Sequence, residues 1–323
     1  MRIDEFFEKQ PEVKFVDWLN SPLHECAPKS FDRRTAEPTE VSVKGAYIAE
    51  CVKEWRDVIL TAIDDFEKFL RSADVFGSDY PIKIVCSEGF SKESYKISVS
   101  DTECIIYASD SEGARRAIYY LEEEMIKREG AFLPRGEIVR NCRITKRITR
   151  GFFSPTNRAP KWGDELLDDI DYYPENYLSR LAHNGTNGLW IYTSFAQLTS
   201  SPHMPSKDEN CGKRMEKLRR VVEKCKKYGI GVYLFAIEPR GLFFDERAPY
   251  EDMLGADVPY IRPLCPRIEK TREHVIYCLE HIYSSIPDLA GYITIPAGER
   301  PTTCASIGGY KKCPRCGKYS RRK

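Results

Sequence analysis

The sequence predicts an α/β protein in which a small N-terminal α+β domain is followed by a partial TIM-type (β/α) barrel of about four units. Two patterns support this: strands grouped with covering helices before residue 133, and apolar strands alternating with helices after residue 147. Such alternation is typical of a buried parallel sheet. A complete eightfold barrel takes roughly 250 residues, and the alternating region is shorter. We therefore expect a truncated barrel, with a complete open parallel sheet as the alternative.

The same patterns divide the 323 residues into three parts. Residues 1–43 form an N-terminal extension, residues 44–138 the α+β domain, and residues 139–323 the partial barrel, which we expect to be catalytic. The boundary lies where the turn-like residues 133–137 give way to an extended, basic connection over residues 139–148.

Within the α+β domain, apolar residues at three- and four-residue spacing predict a helix from residue 44 to about residue 73. Alternating patterns then predict strands over residues 81–86, 94–100 and 103–108. A capped, amphipathic stretch predicts a helix over residues 111–125.

Four strand and helix segments make up the predicted barrel region. The strands are expected over residues 148–154, 187–193, 231–237 and 291–295. The helices between them are expected over residues 174–183, 212–228 and 269–284.

Composition indicates a globular protein, with 41% hydrophobic and 31% charged residues. The net charge of +1 gives no overall field toward nucleic acid or an anionic membrane, so neither is expected as a partner. The N-terminus lacks the apolar segment of a signal peptide, and we find no apolar run of about 18 residues that would span a membrane. Twelve cysteines without a signal peptide indicate a reducing compartment, so we expect a cytoplasmic protein and leave its oligomeric state open.

Ligand-binding side chains of a parallel α/β fold lie at the C-terminal ends of its strands. This rule selects a polar set, which comprises Asn157, Tyr192, Glu238, Arg240, Glu299 and Arg300. A binding site at these strand ends that is rich in carboxylate, Arg, Asn and Tyr side chains suits a carbohydrate substrate. Sugar cleavage commonly needs one carboxylic acid to protonate the leaving oxygen, and Glu238 and Glu299 are the candidates. The alternative is that these carboxylates only pair with the neighbouring arginines.

Four segments carry a resemblance to known enzymes. One of them, ENYLSRLAHNGTNGLWIY over residues 175–192, resembles the helix and strand that follow their first barrel strand. Residues 94–125, with the turn Ala108-Ser-Asp-Ser-Glu-Gly113, resemble the small domain before the barrel in family 20 β-N-acetylhexosaminidases and in α-glucuronidases. RITRGFFSP, from Arg147, resembles their first barrel strand, which implies that Arg150 contacts the terminal sugar. IPDLAGYITIPAGE, ending at Glu299, resembles their fourth strand and implies that Glu299 is the general acid.

The resemblance implies a glycoside hydrolase that acts on O-glycosyl bonds and requires no cofactor for catalysis. The substrate contacts then expected are Arg150, Asn157, Tyr192, Glu238, Arg240 and Arg300. Family 20 enzymes place an Asp directly before the acid to orient the substrate acetamido group, whereas this chain has Gly298; the His that often begins their motif is Thr294. We therefore expect a different second catalytic group. The alternatives are a catalytically inactive or truncated carbohydrate-binding paralogue and a zinc-stabilised interaction module.

The motif Cys313-Pro-Arg-Cys316-Gly is half of a structural zinc site, because two thiolates separated by two residues can hold one Zn²⁺. A complete site takes four ligands, and Cys304 is the expected third. Candidates for the fourth ligand are Cys211, Cys265 and His203. A structural zinc is thus the expected metal, and the alternatives are free thiols and a site whose last ligand is missing.

Overall fold

The computed structural model describes residues 19–23, 31, 33, 35–150, 164–258, 261–295, 302–306 and 311–318. Over these ranges the chain is a mixed α/β protein, as the sequence predicts, with two main sheets covered by helices. None of the helices in the described part has the length and apolar composition that a bilayer crossing requires.

The strands and helices follow one another in an order close to the predicted one. In chain order the strands are β1 (Glu40–Ser42), β2 (Ala46–Glu50), β3 (Tyr80–Cys86), β4 (Tyr95–Val99), β5 (Cys104–Ala108), β6 (Phe132–Pro134), β7 (Gly136–Arg140), β8 (Ile148–Arg150), β9 (Gly188–Tyr192), β10 (Gly231–Ala236), β11 (Leu242–Phe243), β12 (Ile261–Arg262) and β13 (Gly291–Thr294). The α-helices are α1 (Lys53–Arg56), α2 (Leu60–Ser72), α3 (Ser111–Lys127), α4 (Glu175–His183), α5 (Phe195–Leu198), α6 (Cys211–Lys227) and α7 (Glu269–Ser285).

The first sheet has the strand order β2-β3-β5-β4-β7. Strands β2, β3 and β5 run parallel, and β4 is antiparallel to both of its neighbours. Alternate residues such as Tyr80, Ile82 and Ile84 are buried, because only one face of the sheet is covered by α2 and α3. Strand β7 pairs with β4 in this sheet and spans the predicted boundary at residue 138.

The predicted helix from residue 44 to residue 73 is wrong over its first part. Ala46–Glu50 forms strand β2, and the helical residues are Lys53–Arg56 and Leu60–Ser72. Gly45 directly precedes the strand at φ +84°, a conformation that suits glycine and does not continue a right-handed helix. Ala46 and Ile48 pair with β3, so their two-residue spacing reflects a strand that the helical spacing downstream obscured.

The second sheet is parallel throughout and has the order β8-β9-β10-β13, so that its four strands lie side by side in chain order. Helices α4, α6 and α7 connect these strands. Leu189 and Ile191 of β9, like Val232 and Leu234 of β10, are buried in the core that these helices help to form. The opposite face carries aromatic residues that are only half-buried.

The two sheets share one continuous hydrophobic core, and the fully buried Arg115 joins their helices. Its guanidinium donates to the carbonyl oxygens of Val58 at 2.6 Å and Lys227 at 3.1 Å, and to Thr61 Oγ1 at 3.0 Å. Its Nε also pairs with Glu112 at 3.0 Å. Arg115 belongs to α3, which covers the first sheet, and Lys227 ends α6, which belongs to the parallel sheet region. This arginine therefore connects the two parts of the structure.

Candidate active site

The C-terminal edge of the parallel sheet carries a row of half-buried aromatic side chains. The rings of Trp190 and Tyr192 lie 4.7 and 5.9 Å from the ring of Phe235, measured between centroids. Arg150 ends β8, and its guanidinium carbon lies 5.3 Å from the centre of the Trp190 ring. Two predicted sugar contacts, Arg150 and Tyr192, therefore lie at the ends of adjacent strands.

Glu238 follows β10 by two residues and is 5% exposed. One carboxylate oxygen accepts the backbone N–H of Phe195 at 2.9 Å, and the other accepts that of Arg240 at 2.7 Å. Burial raises the pKa of Glu238, although these two amides act to lower it. Its carbonyl oxygen also accepts a hydrogen bond from Thr294 Oγ1 at 3.1 Å. Glu238 thus joins the segments that follow β9 and β10 to the end of β13.

Arg240 forms a two-pronged ion pair with Glu246, at 2.6 and 3.3 Å. Glu246 also accepts the backbone N–H of Phe243 at 3.0 Å. Burial alone would raise the pKa of Glu246, but the hydrogen bonds from Arg240 and from the Phe243 backbone, together with the positive charge of Arg240, outweigh burial and lower the pKa. The Glu246 carboxylate therefore orients the Arg240 guanidinium at the edge of the site.

A cavity of about 260 Å³ lies between the loops that follow β9 and β10. Its lining includes Glu238, Arg240, Glu246, Tyr250 and His274. Ligand pockets commonly measure roughly 300–1,000 Å³, so this volume suits one small polar ligand or part of a larger one.

His274 is the buried titratable base of this cavity, with 6% of its surface exposed. Burial, with the neighbouring His203, lowers the pKa of His274 to about 4, so the imidazole is neutral at physiological pH. Its Nδ1 lies 3.8 Å from the Cys278 sulfur. Sequence reasoning assigned no role to His274 or Glu246. The buried positions Thr271, His274 and Cys278 of α7 repeat every three or four residues, and this spacing is the signal that would have identified His274.

Four cysteine sulfurs converge beside this edge. The Sγ atoms of Cys265, Cys304, Cys313 and Cys316 all lie within 4.8 Å of one another. The structure thus brings the three predicted ligands together with Cys265, one of the three candidates for the fourth.

The other two candidates for the fourth ligand make different contacts. The Cys211 sulfur lies 3.3 Å from the carbonyl oxygen of Ala196, and His203 Nε2 lies 3.3 Å from a carboxylate oxygen of Glu273.

Three predicted site residues, Asn157, Glu299 and Arg300, lie outside the described residues. The residues that flank segment 296–301 are described, and Thr302 Oγ1 donates a 3.1 Å hydrogen bond to the carbonyl oxygen of Ile295. Ile295 directly follows β13. The two flanks are thus held together at the end of the fourth parallel strand.

No protein-family model matches the sequence, and no curated protein sequence matches it. Solved structures do match. A GH138 enzyme targeting pectin rhamnogalacturonan II is 13% identical with a TM-score of 0.56, over 77% of this chain and 30% of its own. The GH20 exo-β-N-acetylglucosaminidase of Vibrio harveyi is 14% identical with a TM-score of 0.53, over 91% and 49%. The β-N-acetylhexosaminidase of Bacteroides fragilis is 15% identical with a TM-score of 0.50, over 86% and 56%.

The chain shares its fold with these glycoside hydrolases. The resemblance expected from the sequence is therefore confirmed at the level of fold. At 13% to 15% identity the likeness extends to the fold alone, and the chain spans 30% to 56% of the length of these three enzymes.

Proposed function

We propose that this protein is a glycoside hydrolase that cleaves O-glycosyl bonds, with Glu299 as its general acid and no cofactor in the catalytic step. The observation that supports this is the parallel order β8-β9-β10-β13, in a fold shared with GH20 and GH138 enzymes. In the proposal these strands are the first four of a (β/α) barrel. Glu299 comes five positions after β13 in the sequence, and β13 ends at the edge where such folds bind their ligands.

The proposed substrate contacts combine charge with aromatic surface. Arg150 beside Trp190, and Tyr192 on the next strand, offer hydrogen-bond donors next to ring faces. Arg240, oriented by Glu246, contributes a cation on the cavity side. Asn157 and Arg300 complete the set that we expect from the sequence.

Glu238 stays a predicted contact, and its hydrogen bonds favour a positioning role. Each oxygen already accepts one backbone N–H group, and Glu238 is 5% exposed, so little of the carboxylate is open to a sugar hydroxyl. A carboxylate held in this way fixes the positions of the loops after β9 and β10 relative to each other.

In the proposed reaction Glu299 donates its proton to the glycosidic oxygen as the bond to the anomeric carbon breaks. A second group acts as nucleophile or base on the other side of the sugar. Because Gly298 stands where family 20 enzymes have an Asp, we do not assign that role to the residue before the acid. The same substitution favours a second candidate function, which is sugar binding without turnover.

Turnover of aryl N-acetylhexosaminides and aryl glucuronides, measured beside sugar binding by calorimetry, tests the proposal. We expect hydrolysis by the protein and a loss of about 10²–10⁴ in kcat for Glu299→Gln, the usual contribution of a general acid. Glu209→Gln is the matched control, because Glu209 is exposed on the loop after β9. Equal turnover in Glu299→Gln and the unmodified protein would refute the assignment of the acid. Sugar binding with no turnover would support the second candidate instead.

A further inference from the structure

The four-cysteine cluster joins three separate segments of the chain. Cys265 belongs to the loop between β12 and α7, Cys304 to the segment after β13, and Cys313 and Cys316 to the turn over residues 311–318. An isolated parallel backbone bridge between Leu264 and Thr303 supports the same junction. The cluster therefore links the loop after the third parallel strand to the segment after the fourth.

The separation of the sulfurs matches one tetrahedral metal ion. Zinc–thiolate bonds of about 2.3 Å in a tetrahedron put the sulfurs about 3.8 Å apart. Here the Cys265 sulfur lies 3.8 Å from that of Cys313 and 3.6 Å from that of Cys316. A disulfide would require about 2.05 Å, so these cysteines are free thiols in the arrangement described.

The surrounding backbone is shaped for these sulfurs. The backbone N–H of Cys316 points at the Cys313 sulfur at 3.4 Å, and that of Gly317 donates to the Cys313 carbonyl at 2.8 Å, which closes the Cys-Pro-Arg-Cys turn. A Cβ atom added at Gly255 would lie 2.1 Å from the Cys304 sulfur. Glycine at position 255 is thus what allows Cys304 to reach the cluster.

Burial and charge also fit a metal–thiolate centre. Cys265, Cys304 and Cys313 are each no more than 1% exposed. Four thiolates around a divalent ion carry a net charge of −2, and the described segments 302–306 and 311–318 contain no acidic residue. They do contain four basic ones, which are Lys311, Lys312, Arg315 and Lys318. Arg315 also donates to the carbonyl oxygen of Leu254 at 3.2 Å and thereby fixes the turn to the loop that carries Gly255.

We propose that Cys265, Cys304, Cys313 and Cys316 bind one structural Zn²⁺ that fastens the segment after β13 to the loop after β10. All four positions are occupied by protein ligands, so the site is closed, as structural zinc sites are, and has no open position for a substrate or water. On binding, the four thiols lose their protons to solvent. This inference is independent of the glycosidase proposal, because it concerns a metal that no catalytic step uses.

The first test is the metal content of the whole protein, purified without a metal-affinity step and analysed by inductively coupled plasma mass spectrometry. We expect about one zinc ion per chain. Iron in place of zinc, a zinc content near zero, or a disulfide among these four cysteines in the freshly purified protein would overturn the proposal. None of these outcomes depends on whether the protein hydrolyses a glycoside.

The second test uses Co²⁺ exchanged into the protein. The expected spectrum shows thiolate-to-cobalt charge transfer and the intense visible bands of a tetrahedral ion, whereas the weak bands of six-coordinate cobalt would contradict a four-sulfur site. Cys265→Ser and Gly255→Ala should lose most of the bound zinc, the latter without removing a ligand. Cys211→Ser, at a half-buried cysteine outside the cluster, should keep it. Retention of a full zinc equivalent by a folded Cys265→Ser protein would refute the ligand set.

Discussion

Replacement of Glu238 by alanine tests whether this carboxylate holds the loops of the candidate site together. The substitution removes the acceptor of two buried backbone N–H groups, those of Phe195 and Arg240. A buried donor left without a partner costs about 1–3 kcal/mol. Against this, the substitution removes a charge whose burial is unfavourable, as the raised pKa of Glu238 indicates. We therefore expect Glu238→Ala to lower the free energy of unfolding by about 2–4 kcal/mol.

Glu238→Gln separates shape from charge in the same experiment. The amide keeps one acceptor oxygen but turns an NH₂ group toward the other backbone N–H, so we expect a smaller loss of about 1–2 kcal/mol. Urea denaturation at about pH 7 measures both variants, with Glu209→Gln as an exposed control that should stay within about 0.5 kcal/mol of the unmodified protein. A Glu238→Ala variant that unfolds at the same urea concentration as this control would refute the reasoning.

Two further predictions concern buried charged and titratable groups. The pKa of His274 falls from 6.5 to about 4 on folding, so the unfolded chain takes up the proton first and stability falls as pH drops through this window. Between about pH 7.5 and pH 5 this proton uptake should lower the free energy of unfolding of the unmodified protein by about 2 kcal/mol. In urea titrations His274→Gln should lack this part of the loss, and an unchanged pH dependence would contradict the prediction. Arg115→Met removes the buried cation that pairs with Glu112 and donates to three oxygens, and it should cost about 3–5 kcal/mol, whereas Lys127→Met at an exposed helix pair should cost under about 1 kcal/mol. Equal denaturation midpoints for these two variants would contradict a central role for Arg115.

Long periodic segments were predictable from the sequence because their burial pattern is local. The helix expected over residues 111–125 is observed as Ser111–Lys127, and the strand expected over residues 231–237 as Gly231–Ala236. Strand β2 was not predictable, because four of its five residues pair with β3, more than 30 positions away. A short strand directly before a helix also extends the apparent helical spacing. The short ribbon strands β11 and β12 likewise depend on each other rather than on a local pattern.

The candidate site was predictable where it follows from strand ends and not where it depends on loops. Arg150, Tyr192 and Glu238 lie at the expected edge because parallel strands present their C-terminal ends together. The ion pair between Arg240 and Glu246 depends on a loop turn that no residue spacing encodes. Cys265 could be named only as one of three candidates, because its approach to Cys313 joins residues 48 positions apart.

The measurement that tests the glycosidase account most directly is the dependence of kcat/KM on the leaving group. For Glu299→Gln, we expect a loss of about 10²–10⁴ on an aryl glycoside whose phenol leaves poorly, and little loss on the dinitrophenyl glycoside of the same sugar, which leaves without protonation. This difference isolates proton donation from folding and from binding. Equal losses on both substrates, or no loss on either, would contradict the claim that Glu299 is the general acid.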